Sequence, residues 1–126
     1  MRKLFAGSIC VAVLAGLSLN AFGATQTITG QLVDQECYTA NKANRGVDHK
    51  MPEDTPNCAV TCAKMGMPVA LLTSDGKLYT VTGDLAANNN AKLVPHLSHT
   101  VELTGDVTMA GGKTTIAATN LKMISK

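Results

Sequence analysis

Cys37, Cys58 and Cys62 dominate the chemistry this sequence can offer. Cys37 stands alone, whereas the other two sit four apart in Cys58-Ala59-Val60-Thr61-Cys62. Exported proteins normally pair their cysteines, so an odd set implies a free thiol, an intermolecular bridge or a metal. The residues around the pair predict a helix over 56–65. Thr55 can cap it, Pro56 suits its first position, and Gly66 followed by Pro68 ends it. Such a helix sets Cys58 and Cys62 one turn apart on one face. Cys58 falls in the first turn, where exposed amides and the helix dipole favour a thiolate. Cysteines at i and i+4 of a regular helix rarely fit a disulfide, which makes Cys37 the natural partner for one of them.

Three chemistries are open to this set. Cys37 can pair with Cys58 or with Cys62 and staple the segment, leaving one thiol free. Alternatively, all three thiolates bind a metal with His49 as the fourth ligand, a Cys3His set suited to zinc. Soft ligands also suit copper(I), and Met51, Met65 and Met67 lie nearby, although methionines more often fill core gaps. In a third reading a free thiol works in redox exchange, without the Cys-x-x-Cys spacing of thioredoxin-like proteins. His96 and His99, in Pro95-His96-Leu97-Ser98-His99, are a secondary candidate metal pair. Asp34 and Glu36 follow the first strand and read as solvated loop carboxylates. No serine sits in a nucleophile-elbow pattern and no glycine-rich phosphate loop follows a strand, so no catalytic residue is assigned.

The amino-terminal segment sets the compartment. Arg2 and Lys3 precede an apolar run from Leu4 to Leu19, and small residues follow at Ala21, Gly23 and Ala24. That pattern predicts a secretory signal over 1–23, cleaved near Gly23 and Ala24, and a periplasmic or secreted protein. The run is short for a spanning helix of about 20 residues, and no membrane insertion is expected after cleavage. Cys10 leaves with the leader. The eleven basic residues exceed the nine acidic ones by Arg2 and Lys3 alone, so the remaining chain is formally neutral. Its aromatic residues are Tyr38 and Tyr79. Nucleic acid needs a basic surface, usually with aromatic faces for stacking, and is excluded as a partner on those grounds.

Residues 24–126 suffice for one domain with a modest core. Strands are predicted at 27–33, 69–73, 78–82, 101–109 and from 114 to about 124. The fourth has the cleanest period, with Val101, Leu103, Val107 and Met109 alternating with polar residues. Asp75-Gly76 between two β-rich runs favours a primed hairpin turn. Gly30 and Gly105 fall inside strands, where glycine marks a bend or bulge. Between the third and fourth strands, 85–93 reads as a short helix or irregular connection, with Asn88-Asn89-Asn90 arguing against regularity. This order fits a mainly β chain: a small five-stranded OB-like Greek-key barrel, with a short cysteine-bearing helix after strand one and a short helix between strands three and four.

The assembled pattern resembles a family of small exported bacterial proteins of unknown function with OB-like barrels. The resemblance rests on Gly30-x-Leu32-Val33-Asp34-x-x-Cys37, Cys58-x-x-x-Cys62 and Gly66-Met67-Pro68. It continues through Leu71-Leu72, Asp75-Gly76-Lys77-Leu78-Tyr79, His96-x-x-His99-x-Val101 and Leu103-Thr104-Gly105. It implies a fold and a compartment, and a histidine between the first two cysteines that His49 would match at a longer spacing. It implies no activity. The sequence therefore leads to an exported binding or interaction module for an unknown small ligand or envelope protein, presented by a stapled or metal-clamped loop. The alternative is a periplasmic zinc- or copper-binding protein, and a thiol-redox protein comes third.

Overall fold

The computed structural model describes residues 24–45 and 58–126. The leader assigned to 1–23, His49, Met51 and the helix-start residues Thr55 and Pro56 lie outside the described residues.

The chain is mainly β. Five strands, β1 (Thr25–Asp34), β2 (Val69–Leu72), β3 (Leu78–Thr82), β4 (Thr100–Ala110) and β5 (Lys113–Ser125), form one sheet. Among the described residues, two short helices, α1 (Gln35–Ala40) and α2 (Cys58–Lys64), fall between β1 and β2. β1 serves two partners: Thr25 to Gln31 pair antiparallel with β4, and Gln31 to Asp34 pair antiparallel with β2. β2 pairs antiparallel with β3, β3 parallel with β5, and β5 antiparallel with β4. Every strand thus has a neighbour on both sides, and the pairing closes on itself in the order β1-β2-β3-β5-β4.

Two glycines allow the closure. At Gly30, where β1 passes from β4 to β2, a Cβ would lie 2.5 Å from the Leu72 carbonyl oxygen. At Gly105 a Cβ would overlap the Ala117 carbonyl, beside a register shift between Thr104 and Gly105 that marks a bulge. Both expected bends are present. The β2–β3 turn differs from expectation. The Thr73 amide donates to the Lys77 carbonyl at 2.9 Å and the Gly76 amide to the Thr73 carbonyl at 3.0 Å. In this turn only Gly76 has a positive φ, +85°, so the loop is a three-residue connection with a glycine bulge. A type I′ turn needs two positive-φ positions, and Asp75 does not supply the first.

Alternation along β1 separates two cores. Leu32 joins Leu71, Val81, Val101, Leu103 and Ile116 on the inner face, whereas Val33 packs with Tyr38, Ala70 and Leu72 on the other. α2 adds Ala59 and Ala63 to the inner cluster, and α1 adds Tyr38 to the outer one. The two helices therefore anchor in different layers. The connection from β3 to β4 holds 3-10 turns at Asp84–Ala86 and Val94–His96, with a helical turn at Ala87–Asn90 between them. Asn88, Asn89 and Asn90 all take left-handed backbone, with φ of 55°, 53° and 59°. The expected short helix is thus broken at the asparagine run, because asparagine tolerates this region where most residues do not.

Candidate metal centre

Each cysteine is placed by a separate local device. β1 ends at Asp34, whose carboxylate accepts from the Cys37 amide at 2.8 Å and so caps α1. The Cys37 carbonyl is taken by the Asn41 amide at 3.0 Å and by Asn44 Nδ2 at 3.0 Å. Cys37 is therefore held at both ends of its peptide, and its side chain is buried.

α2 carries the other two thiols, and its carboxyl end is sealed twice. Gly66, at φ +86°, donates to the Ala63 carbonyl at 3.0 Å, and the Met67 amide reaches the Cys62 carbonyl at 3.1 Å. This is the paired closure that a left-handed glycine permits at a helix end. From the connection before β4, buried Asn90 donates through Nδ2 to the Ala63 and Met67 carbonyls, each at 2.9 Å. The predicted stop at Gly66 is present, and the described part of the helix puts Cys58 and Cys62 on one face as expected.

The three sulfurs meet. Cys58 Sγ lies 3.9 Å from Cys37 Sγ and 3.9 Å from Cys62 Sγ, and all three lie within 4.8 Å of one another. Thiolates on one zinc, with Zn–S near 2.3 Å, stand about 3.8 Å apart in a tetrahedral site and about 4.0 Å apart in a planar three-coordinate one. A disulfide requires about 2.05 Å, so either pairing with Cys58 would have to close by nearly half the present separation. All three cysteines are free thiols here. Cys58 stands midway between its partners, a spacing suited to a shared ion.

Electrostatics make the site demanding. Burial, aided by the Asp34 carboxylate and the Cys58 thiol, pushes the Cys37 thiol well above its ordinary range. Burial also raises Cys62, again with contributions from Cys58 and Asp34. Asp34 itself is 2% exposed, and its Oδ2 is buried without a hydrogen-bond partner. The expectation that Asp34 is a solvated loop carboxylate is therefore corrected. It is buried beneath the junction of β1 and α1, where one oxygen caps the helix and the other is unsatisfied. An unpaired buried carboxylate oxygen is costly, and the positive charge of an ion held by the neighbouring thiolates would offset that cost. Three sulfurs at this spacing suit zinc, which takes a further ligand, and also suit copper(I).

The remaining candidates separate. His96 and His99 come together, with ring centroids 6.0 Å apart, but outside the cluster. Among the described residues, the three cysteines form the only group of three or more potential ligands. Met65, read as a gap filler, is 72% exposed just beyond α2, because Gly66 turns the chain there. Sequence reasoning missed Asp34 as the buried cap that holds Cys37 and Asn90 as the brace of α2. The Asp34-x-x-Cys37 spacing, that of a helix cap and its third residue, was the available signal. The chain matches no family model, no curated protein and no solved structure.

Proposed function

We propose that this protein binds a thiophilic metal ion, zinc or copper(I), through Cys37, Cys58 and Cys62, on a small OB-like Greek-key barrel exported to the periplasm or medium. One observation carries the reading: three sulfurs at metal-ligand spacing around Cys58, beside a buried carboxylate oxygen that lacks a partner. The pairing order β1-β2-β3-β5-β4, with β1 bent between two partners, supports the barrel. Export rests on the amino-terminal pattern of Arg2, Lys3 and the apolar run after them.

The chemistry follows from the donor set. Uptake displaces protons from thiols that burial holds protonated, so binding is coupled to proton release. Asp34 offers a counter-charge beside Cys37, and His49 remains the candidate fourth ligand. The same three positions would also hold a presented loop together, which unites the clamp with the interaction role read from the sequence. Native and denaturing mass spectrometry of the mature protein, with alkylation of free thiols, tests this. One bound zinc or copper with three alkylatable thiols after its removal is expected. A mass lower by two hydrogens, with a single alkylated cysteine and no metal, would replace the metal by a staple.

A further inference from the structure

The loop before β4 uses an uncommon backbone to set two imidazoles side by side. The His99 amide donates to the His96 carbonyl at 3.0 Å. Between them Leu97 has φ −57° and ψ 138°, and Ser98 has φ +68°. These are the angles of a type II turn, whose third residue is ordinarily glycine or asparagine. A serine there strains the backbone, and such strain persists only where its surroundings over-determine it. Here the surroundings are explicit. The Ser98 amide donates to the Leu32 carbonyl at 2.8 Å, and the Leu32 amide to the His99 carbonyl at 3.1 Å, so the turn is fastened to β1. Leu97 is buried in the inner core.

The turn brings its first and last residues together, and both are histidines. Their centroids are 6.0 Å apart with ring planes at 74°. Both Nδ1 atoms are buried and neither has a hydrogen-bond partner. With Asp34 Oδ2 they complete the set of such side-chain atoms among the described residues. In either neutral tautomer, two buried ring nitrogens then stand unsatisfied, at a cost of about 1–3 kcal/mol each. Two imidazoles sharing one tetrahedral zinc, with metal–nitrogen bonds near 2.0–2.1 Å, place their centroids about 5.2 Å apart. The observed 6.0 Å would close by about 0.8 Å as the ion binds.

We infer that His96 and His99 form a second metal site, taking a borderline divalent ion such as zinc through their Nδ1 atoms and leaving other coordination positions open. Imidazole suits zinc, copper(II) and nickel(II), whereas the thiol centre favours softer ions, so the two sites differ in donor chemistry. With only two protein ligands this site holds its ion less firmly than the three-sulfur centre. The inference stands without the cysteine reading, since it shares no ligand with it.

The test is a zinc titration of the full mature chain, followed by native mass spectrometry and by nitrogen-15 correlation spectra of the imidazoles. Two zinc ions are expected, and the Nδ1 resonances of His96 and His99 should move together as one of them binds. His96→Ala should retain one zinc. A Cys37→Ser, Cys58→Ser, Cys62→Ser variant should keep the histidine response while losing the other ion, which separates failure of the two sites. The inference is overturned if zinc leaves the two Nδ1 resonances of the wild-type chain unmoved. It is equally overturned if the ion sits on Nε2 instead, or if the cysteine variant loses the histidine response.

Discussion

Replacing Asn90 tests whether the cysteine helix is held from outside its own segment. The side chain is 5% exposed and supplies two hydrogen bonds, to the Ala63 and Met67 carbonyls. Ala63 keeps a second donor in the Gly66 amide, so its carbonyl is weakened and not orphaned. At a net worth of about 1 kcal/mol per bond, Asn90→Gly should cost about 2 kcal/mol, since glycine accepts the left-handed φ of 59°. Asn90→Ala loses the same bonds and adds about 1 kcal/mol of backbone strain, for about 3 kcal/mol. Urea unfolding of the metal-free, reduced protein measures both through the midpoint at constant slope. A loss below about 0.5 kcal/mol for Asn90→Gly would refute the brace. Equal losses in the two variants would refute the argument from φ.

Other consequences are quickly checked. Serine at Cys37, Cys58 or Cys62 should each weaken zinc binding at least 100-fold in a chelator competition, because three donors around one ion act together. Zinc affinity should fall as pH is lowered, since thiols raised by burial hold their protons more firmly; proton release on binding, seen by titration calorimetry in buffers of different ionisation enthalpy, measures this. Gly105→Ala should destabilise by about 2–4 kcal/mol in thermal unfolding, since the added methyl meets the Ala117 backbone, which cannot move aside as a side chain could. Asp75 is held below its ordinary 3.8, first by the Thr73 hydroxyl and then by the Lys77 amide. Its contribution to stability is therefore present above that value and disappears as pH falls through the lower folded one. Asp75→Asn should flatten the acid limb of a stability–pH curve over that window.

What the sequence made legible was local. The alternation from Val101 located β4, although its expected inward Met109 is exposed, and Pro and Gly punctuation located the end of α2 at Gly66. The two kinking glycines were readable because glycine within a β pattern has few other uses. What escaped depended on distant chain. Asp34 looks like any loop carboxylate until α1 and the sheet fold over it. Asn90 braces a carbonyl 27 residues earlier, a partnership that no local spacing encodes. The asparagine run announced irregularity, but its left-handed path emerged only from packing against α2. The His-x-x-His spacing was visible, whereas the strained turn that gives it meaning lies in the backbone of Ser98.

The last strand has a consequence for when the cysteine cluster can exist. β5 is shared by β3 and β4, and its Ile116 and Ala118 sit in the cluster that receives Ala59 and Ala63 of α2. A chain emerging amino end first must therefore present Cys37, Cys58 and Cys62 to its surroundings long before the scaffold that spaces them is complete. During that interval the thiols are open to oxidation or to whatever ion arrives first. The order of synthesis sets a race between the arrival of the carboxyl-terminal strand and the chemistry of three unprotected sulfurs.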